Sequence, residues 1–306
     1  MSKTALVFPG QGAQSVGMGL DLYNGLESAK AVFDLADRTL GFSLSELCFN
    51  GPEDRLKETA NAQPAIVSVS LAIYETIKGS GHLPEVSYVA GHSLGEYTAL
   101  HACGALSLKD TIFLARKRGE AMQKAAAQSA GGMAAVLGLD EAALALITAD
   151  TGVYIANYNS PGQLVISGEK ERLEKAGEAA MAKGAAKVVS LAVSGAFHTP
   201  LMSPALVDLK KSIESLRFGK PEIPLVANSS AQPVTTASGI SDELMTQLTH
   251  SVRWQASIEM MIADGVDTFI EIGPGKVLSG LIKRINRGVK TVAISDLASL
   301  KAFIGG

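Results

Sequence analysis

The sequence predicts an α/β protein with a mostly parallel sheet, into which a smaller domain of ferredoxin-like order is inserted. Two observations carry this prediction. Short apolar runs bounded by Gly and Pro alternate with longer helical patterns at both ends of the chain. Between residues 131 and 191 the order changes to β-α-β-β-α-β, which is the ferredoxin-like unit.

The predicted large sheet is built from apolar runs that stop at turn residues. The run over residues 5–8 stops at Pro9-Gly10, and the β-prone run over 86–90 stops at Gly91. Further helical patterns in this half cover residues 21–40, 65–78, 96–103 and 108–127. After residue 196 the predicted helices cover 197–216, 242–248, 257–263 and 277–285, and the predicted strands cover 223–228, 268–272 and 291–294.

The predicted insertion has its own strands and helices. The strands cover residues 133–139, 153–157, 163–167 and 186–191, and the helices cover 140–149 and 170–183. Stretches of small residues at 128–132 and 192–196 are the predicted crossings. We therefore expect a large domain formed by residues 1–128 and 197–306 and a small domain formed by residues 129–196.

Composition excludes several classes of protein. The 306 residues are 47% hydrophobic, which excludes disorder, and a formal net charge of −3 gives no electrostatic support for nucleic-acid binding. Cys48 and Cys103 lie in apolar surroundings and predict buried thiols in a reducing compartment, and no Cys/His cluster has zinc-ligand spacing. The chain opens on a predicted strand rather than a signal peptide, and no apolar stretch spans a membrane. We therefore expect a cytoplasmic protein.

The most specific motif is Gly91-His92-Ser93-Leu94-Gly95, a Gly-x-Ser-x-Gly pattern between a β-prone run and a helical run. A strand, a tight turn and a helix would expose the Ser93 hydroxyl beside the N–H groups of the helix start. Gly91 and Gly95 are needed because a Cβ at either position would collide with the neighbouring strand or helix. The alternative is a plain strand–helix turn with a capping serine.

A serine hydroxyl needs a base to become a nucleophile, and His198 is the candidate base. It lies where the predicted small domain rejoins the large one, and residues at such a junction line a cleft. The other histidines are assigned to structural or solvated positions: His82, His92, His101 and His250. Because no Asp or Glu stands out as a third member, we expect a Ser–His dyad whose imidazole is oriented by a backbone carbonyl.

Arg118 is the third candidate, because helical spacing puts it on the same face as Leu114 and Met122. A buried arginine needs an anionic partner. That partner is either an internal carboxylate, such as Glu96 or Glu120, or the carboxylate of a substrate held in bidentate fashion.

The glycine-rich loop at residues 8–12 follows the first predicted strand. Such a loop can offer a backbone N–H to an oxyanion. It does not have the spacing of a dinucleotide-binding loop, because Ser15 stands where the third glycine would be.

Taken together, an ordered set of segments resembles the malonyl-CoA:acyl carrier protein transacylases of fatty-acid synthesis and the related acyltransferase domains of polyketide synthases. The segments span essentially the whole chain. They are residues 8–12 (FPGQG), 63–65 (QPA), 91–96 (GHSLGE), 118–119 (RG), 157–163 (NYNSPGQ), 195–198 (GAFH) and 271–278 (EIGPGKVL).

The resemblance implies an α/β-hydrolase-like catalytic core with the ferredoxin-like insertion. It implies ping-pong transfer of a malonyl group from malonyl-CoA to the phosphopantetheine thiol of acyl carrier protein, with no metal and no cofactor. The implied roles are Ser93 as nucleophile, His198 as base and then acid, the backbone N–H groups of Gln11 and Leu94 as oxyanion hole, and Arg118 as partner of the malonyl carboxylate. It further implies that the carbonyl of Gln247 orients His198 and that Phe197 crowds an α-methyl group on the acyl chain. We expect a monomer.

Carrier proteins of this kind are acidic, whereas this chain is not basic overall, so docking needs a local patch. Lys276, Lys283, Arg284 and Arg287 lie in and just after one predicted helix, and we call them the C-terminal basic patch. The alternative is that these cations complete a helix dipole on a solvated face.

Three other functions would use the same residues. A thioesterase or esterase would use Ser93 and His198 with water as acceptor, but the missing triad acid and the candidate carboxylate clamp count against it. A carrier-binding scaffold with an inactive site is disfavoured because every chemically required residue type is present. An acyltransferase serving polyketide assembly would differ only in its carrier protein.

Overall fold

The computed structural model describes residues 3–128 and 130–305, which form two sheets covered by helices. The strands are β1 (Lys3–Phe8), β2 (Val86–Gly91), β3 (Gly131–Leu137), β4 (Tyr154–Ser160), β5 (Gln163–Glu169), β6 (Lys187–Ser190), β7 (Leu225–Val226), β8 (Pro233–Val234), β9 (Val266–Ile272) and β10 (Lys290–Ile294).

The helices before the second sheet are α1 (Leu20–Gly25), α2 (Glu27–Leu40), α3 (Leu44–Asn50), α4 (Glu53–Lys57), α5 (Thr59–Gly79), α6 (Gly95–Ala102) and α7 (Leu108–Ala126). Those within and after it are α8 (Glu141–Thr151), α9 (Lys170–Ala182), α10 (Ser203–Glu214), α11 (Ala237–Gln247), α12 (Trp254–Ala263), α13 (Val277–Ile285) and α14 (Leu297–Ile304). A 3₁₀ turn, Pro200–Met202, precedes α10.

The large sheet has the strand order β10-β9-β1-β2-β7-β8, and its pairs are parallel except for β7 with β8. β1 lies inside it, and alternate residues of this strand enter different hydrophobic clusters. Leu6 and Phe8 belong to one cluster, and Ala5 and Val7 belong to the other. Burial on both faces explains why this strand is a continuous apolar run. The prediction of an α/β fold with a mostly parallel sheet is confirmed.

The second sheet is antiparallel, with the strand order β4-β5-β3-β6. From β3 to β6 the elements follow the order β-α-β-β-α-β, and α8 and α9 pack on the sheet through a separate hydrophobic cluster. β4 is tied to the segment between α11 and α12, because Asn157 forms a β-bridge with Val252. The predicted domain limits at residues 1, 129 and 306 fall outside the described residues.

Three differences from the predicted elements have local causes. The predicted helix over 21–40 is broken at Leu26, whose backbone is extended with φ −145° and ψ 120°. The predicted strand over 223–228 is confined to β7, because the chain turns at Ala227, whose N–H donates to the carbonyl of Gln232. The short helices α3, α4 and α14 were not predicted, because so few residues give little periodicity.

No helix among the described residues is both long and apolar enough to cross a membrane. Cys48 and Cys103 are buried free thiols, and burial raises the pKa of Cys48 to about 12 and that of Cys103 to about 11. Both thiols are therefore protonated and unreactive at neutral pH. Within residues 3–128 and 130–305, no cluster of three or more His, Cys, Asp or Glu side chains could hold a metal ion.

Candidate active site

The Gly-x-Ser-x-Gly motif forms the turn between β2, which ends at Gly91, and α6, which begins at Gly95. Ser93 has φ 51°, a left-handed conformation that is uncommon outside glycine. A Cβ on Gly91 would lie 1.9 Å from the carbonyl carbon of Gly95, and one on Gly95 would lie 2.0 Å from the carbonyl oxygen of Phe8. The predicted need for glycine at both positions is confirmed. Leu94, rather than Ser93, occupies the position before the helix.

The hydroxyl of Ser93 faces an imidazole. Ser93 Oγ lies 2.7 Å from His198 Nε2, and His198 is buried with φ 59°. His198 Nδ1 lies 2.9 Å from the carbonyl oxygen of Gln247 and 3.2 Å from that of His250. Because carbonyl oxygens only accept hydrogen bonds, we assign the proton to Nδ1. The lone pair of Nε2 is then free to accept the Ser93 hydroxyl proton.

The environment keeps this imidazole neutral. Burial first, and then the positive charge of Arg118, lowers the pKa of His198 from 6.5 to about 3. The hydrogen bonds from Nδ1 to the two carbonyls act in the opposite direction. His198 is therefore in the proton-accepting form throughout the neutral pH range.

The lowered pKa of His198 makes the free energy of unfolding depend on pH. With a pKa of about 3 in the folded state and 6.5 in the unfolded state, the unfolded chain binds the extra proton between these values. The contribution to the free energy of unfolding is complete above pH 6.5 and is lost as the pH falls toward 3. We expect the wild type to lose up to about 1.4 kcal/mol per pH unit more than His198→Asn.

Urea unfolding of both proteins from pH 7 to pH 4 measures this difference. Asparagine is the matched replacement at His198, because it tolerates a left-handed backbone and does not titrate. Parallel stability curves for the two proteins would contradict the prediction.

Arg118 reaches the same hydroxyl. Its side chain is 1% exposed, and its Nη2 donates to Ser93 Oγ over 3.0 Å and to Gln247 Oε1 over 2.9 Å. The guanidinium carbon lies 5.2 Å from the centre of the Tyr97 ring. Within the described part of the chain, its buried Nε has no hydrogen-bond partner. The Nε–H of this guanidinium is therefore an unused donor among those residues.

Neither carboxylate considered for an internal ion pair forms one with Arg118 among the described residues. Glu120 pairs with Arg116 at 2.7 Å and with Lys117 at 2.9 Å. Glu96 interacts electrostatically with Arg118, but the hydrogen bonds between them run through the Gln247 amide, whose Oε1 accepts from Arg118 and whose Nε2 donates to Glu96 Oε2. The alternative of a direct internal ion pair is therefore wrong.

Glu96 is fully buried and takes part in a hydrogen-bond network that the motif did not predict. Burial, followed by the nearby Glu243 carboxyl group, raises the pKa of Glu96 well above its usual value. Burial therefore disfavours the charged form of Glu96, which weakens its compensation of the positive charge of Arg118. Sequence patterns could not find this network, because Glu96 and Gln247 are 151 positions apart.

The candidate oxyanion donors follow adjacent strands of the sheet. Gln11 follows β1 and Leu94 follows β2, and these two strands pair in parallel. Among the described residues, neither the N–H of Gln11 nor that of Leu94 donates to a backbone carbonyl. Both N–H groups thus follow the carboxyl-terminal ends of two adjacent parallel strands. Their role in binding an oxyanion stays a prediction.

Two of the cavities beside this centre are also lined by the second sheet. The larger, of about 760 Å³, has His198 in its wall, and a smaller one of about 240 Å³ has Gln11 in its wall. β4 residues of the second sheet line both, and the opposite wall is formed by loops and helices, including Pro200 and His250 in the larger cavity and Pro9 and Val277 in the smaller one. The larger has the size of a small-molecule site. Phe197, next to His198, is 4% exposed and belongs to the main hydrophobic cluster.

The remaining histidines have structural contacts. His92 Nε2 lies 2.8 Å from Asn159 Oδ1, and His101 Nε2 lies 2.9 Å from Glu75 Oε1. The carbonyl of His250 contacts the candidate base, which sequence reasoning missed because a backbone carbonyl leaves no residue-specific signal.

The C-terminal basic patch is exposed at all four of its positions. Two members already have partners: Lys283 Nζ donates to the carbonyl of Val289 over 2.5 Å, and Arg284 donates to Gln163 Oε1. Both lie in the last turn of α13, which agrees with a helix-dipole role. Docking of a carrier protein on this patch stays a prediction.

Comparison with known proteins identifies the family. The profile of the acyl transferase domain family matches residues 5–300. The malonyl CoA-acyl carrier protein transacylase of Bacillus subtilis is 47% identical over 309 residues, covering 99% of this chain and 97% of that protein. The chain therefore belongs to the acyl transferase domain family, and the resemblance inferred from the motifs is confirmed.

Solved structures share the fold over the whole length. An acyl carrier protein S-malonyltransferase from Vibrio cholerae has a TM-score of 0.94 and 42% identity, covering 98% of this chain and 99% of that one. A malonyl-transacylase in complex with its type II polyketide acyl-carrier protein has a TM-score of 0.96 and 39% identity, covering 99% of each chain.

Proposed function

We propose that this chain transfers the malonyl group of malonyl-CoA to the phosphopantetheine thiol of an acyl carrier protein, through a malonyl ester on Ser93, and so supplies fatty-acid chain elongation. The observation that carries the proposal is that Ser93 Oγ lies 2.7 Å from His198 Nε2 and 3.0 Å from Arg118 Nη2. A base together with a buried cation suits a nucleophile whose acyl substrate ends in a carboxylate. The malonyltransferases similar in sequence and fold support the same reaction.

In the first half-reaction, Ser93 Oγ attacks the thioester carbonyl while His198 Nε2 takes the hydroxyl proton. The carbonyl oxygen becomes an oxyanion, which the N–H groups of Gln11 and Leu94 stabilise. When the oxyanion collapses, the bond from carbon to sulfur breaks. His198 returns its proton to the departing CoA thiol, and malonyl remains as an ester on Ser93.

In the second half-reaction, the carrier-protein thiol takes the place of CoA. His198 removes the thiol proton, and the sulfur attacks the ester carbonyl. The ester bond to Ser93 Oγ breaks, and His198 reprotonates that oxygen. The carbonyls of Gln247 and His250 hold the Nδ1 proton and stabilise the imidazolium as it forms.

Arg118 and Phe197 give the site its substrate preference in this proposal. The guanidinium binds the malonyl carboxylate and holds the ester away from water. Phe197 crowds an α-methyl group on the acyl chain. Because one methyl group in a tight pocket separates substrates by only about 1–3 kcal/mol, selection against methylmalonyl is partial.

The finer architecture belongs to the same proposal. Residues 1–128 and 197–306 form an α/β-hydrolase-like catalytic core, and residues 129–196 form an inserted ferredoxin-like subdomain, which the antiparallel order β4-β5-β3-β6 supports. The enzyme acts as a monomer in the cytoplasm. The CoA thioester and the phosphopantetheine thiol are substrates, and the reaction between them needs no cofactor or metal.

Intact-protein mass spectrometry tests the proposal. After brief mixing with malonyl-CoA and no acceptor, we expect one malonyl adduct, which disappears when phosphopantetheinylated carrier protein is added. CoA release with no transfer to carrier protein would identify a hydrolase instead. Transfer to a polyketide carrier but not to a fatty-acid carrier would identify the polyketide alternative.

Reversing charge in the C-terminal basic patch tests the docking site. We expect Lys283→Glu with Arg284→Glu to raise KM for carrier protein several-fold, because the carrier is acidic, and to leave the malonyl-CoA half-reaction unchanged. Steady-state kinetics with varied carrier protein, beside the single-turnover acylation rate, measure both.

The matched control reverses another adjacent pair of exposed basic residues, Lys210 and Lys211 near the end of α10. This double variant has the same net charge as the patch variant, so it accounts for general repulsion. A carrier-protein KM equal in the two double variants would show that the patch is not a docking site.

A further inference from the structure

The strained turn that carries Ser93 is held by a side chain from a neighbouring strand. Asn228 follows β7, which pairs with β2, and it is 1% exposed. Its Oδ1 accepts the backbone N–H of Ser93 over 2.6 Å, and its Nδ2 donates to the carbonyl of Gly91 over 2.7 Å. One planar amide therefore bridges the two ends of the turn around His92.

Asn228 is itself held at both of its backbone groups. Its N–H donates to Glu96 Oε1 over 3.4 Å, and its carbonyl accepts the N–H of Arg253 over 2.9 Å. The next residue, Ser229, donates its N–H to Glu243 Oε1 over 2.9 Å. Two buried acids, from α6 and α11, thus fix the turn from which the amide reaches Ser93.

This arrangement determines where the Ser93 hydroxyl points. A φ of 51° is unfavourable for serine and persists only when the surroundings enforce it. The Ser93 N–H is committed to Asn228, so the backbone cannot relax without losing that bond. The direction of Oγ toward His198 Nε2 follows from this backbone conformation.

We infer that Asn228 is a positioning residue for the nucleophile, whose amide holds the turn in the conformation that brings Ser93 Oγ to His198. The inference rests on the proposed role of Ser93. The Asn228 amide supplies the donor and the acceptor together and carries no charge at any pH. An ionised aspartate in place of Asn228 would accept from Ser93 but repel the carbonyl of Gly91, and a leucine there would satisfy neither group.

The test measures how fast Ser93 reacts in Asn228→Asp and Asn228→Leu. Two reagents are used: malonyl-CoA, followed by adduct mass, and a serine-directed fluorophosphonate, which needs neither a carboxylate clamp nor a carrier protein. We expect both variants to react about 10²-fold more slowly with both reagents, with the full number of reactive sites and an unchanged KM for malonyl-CoA.

The pH profile separates positioning from a structural effect. A protonated aspartic acid has one O–H donor and one acceptor, so it can restore both bonds. The ionisable groups near this site are Glu96 and Glu243, His92 within the turn itself, and Arg118 and His198 next to the Ser93 hydroxyl. All five are present in every variant. Lowering the pH from 8 to 5 should therefore speed Asn228→Asp at least several-fold relative to Asn228→Leu.

Ser230→Ala is the matched control, because it removes a hydrogen bond from the Gln232 N–H in the same turn without touching Gly91, Ser93 or Glu243. We expect its rates to stay within about twofold of the wild type. Folded Asn228 variants that react at the wild-type rate would overturn the inference. So would variants with fewer reactive sites but an unchanged rate constant, which is the signature of a purely structural residue.

The two reagents also distinguish failure of the proposed function. If the wild type reacts with the fluorophosphonate but forms no malonyl ester, the proposed function is wrong, and the fluorophosphonate rates alone decide the role of Asn228. If the wild type reacts with neither reagent, both proposals are overturned. If Asn228→Leu does not fold, Asn228→Asp and its pH profile decide the matter.

Discussion

Ser93→Ala is expected to abolish the malonyl adduct and to lower transfer to carrier protein at least about 10⁴-fold. The reason is that Ser93 Oγ is the atom placed 2.7 Å from His198 Nε2, and an alanine removes the hydroxyl that would carry the malonyl ester. Intact-protein mass and a coupled transfer assay measure the two effects. A malonyl adduct that persists in Ser93→Ala would place the acyl group on another residue.

The pair can be tested as a unit. His198→Asn and the double variant should be about as slow as Ser93→Ala, because residues that act in one step are strongly non-additive. If the rate loss of the double variant equals the product of the two single rate losses, Ser93 and His198 act independently. Ser257→Ala is the matched control, since it removes a serine hydroxyl that donates to the carbonyl of Arg253 rather than facing His198.

Arg118→Ala is expected to lower the malonyl acylation rate about 10²- to 10³-fold, which corresponds to about 3–4 kcal/mol. The guanidinium is 1% exposed, lies 3.0 Å from Ser93 Oγ and has no direct ion pair among the described residues, so a substrate carboxylate would be its anionic partner. An acetyl group has no carboxylate that Arg118 could bind. The same variant should therefore lose far less activity toward acetyl-CoA, and its malonyl-to-acetyl preference should fall.

The ratio of kcat/KM for malonyl-CoA and acetyl-CoA is the decisive quantity. Arg118 also donates to Gln247, so its removal disturbs the site for every substrate, and the ratio removes that common loss. Arg116→Ala is the matched control, because Arg116 is on the same helix but bonds to Glu120 and Asn61. An unchanged ratio in Arg118→Ala would mean that Arg118 does not bind the malonyl carboxylate.

Local features were the ones that sequence patterns could predict. The glycines at positions 91 and 95 follow from the steric demands of one turn, because a Cβ added at either position would collide with the neighbouring backbone. The continuous apolar run of β1 follows from burial on both faces of the sheet. In each case the residues in contact are close in sequence or belong to one strand or helix. The local sequence pattern is therefore enough to predict the feature.

Contacts across the fold were not accessible in the same way. Helical periodicity placed Arg118 on an apolar face, but it could not decide between an internal carboxylate and a substrate. The structure puts the Gln247 amide between Arg118 and Glu96, and no periodicity relates residues 129 positions apart. The carbonyl of His250 and the amide of Asn228 were missed for the same reason.

By itself, the sequence determined the class of fold, the strand–turn–helix that carries Ser93 and, through its resemblance to a family, the residues expected to act. Only the tertiary structure decided which groups meet the Ser93 hydroxyl and which charges stay uncompensated around it. The physical reason is that secondary structure depends on short-range sterics and hydrophobic periodicity. Hydrogen bonds, desolvation and pKa values depend instead on atoms that the folded chain brings together from distant positions.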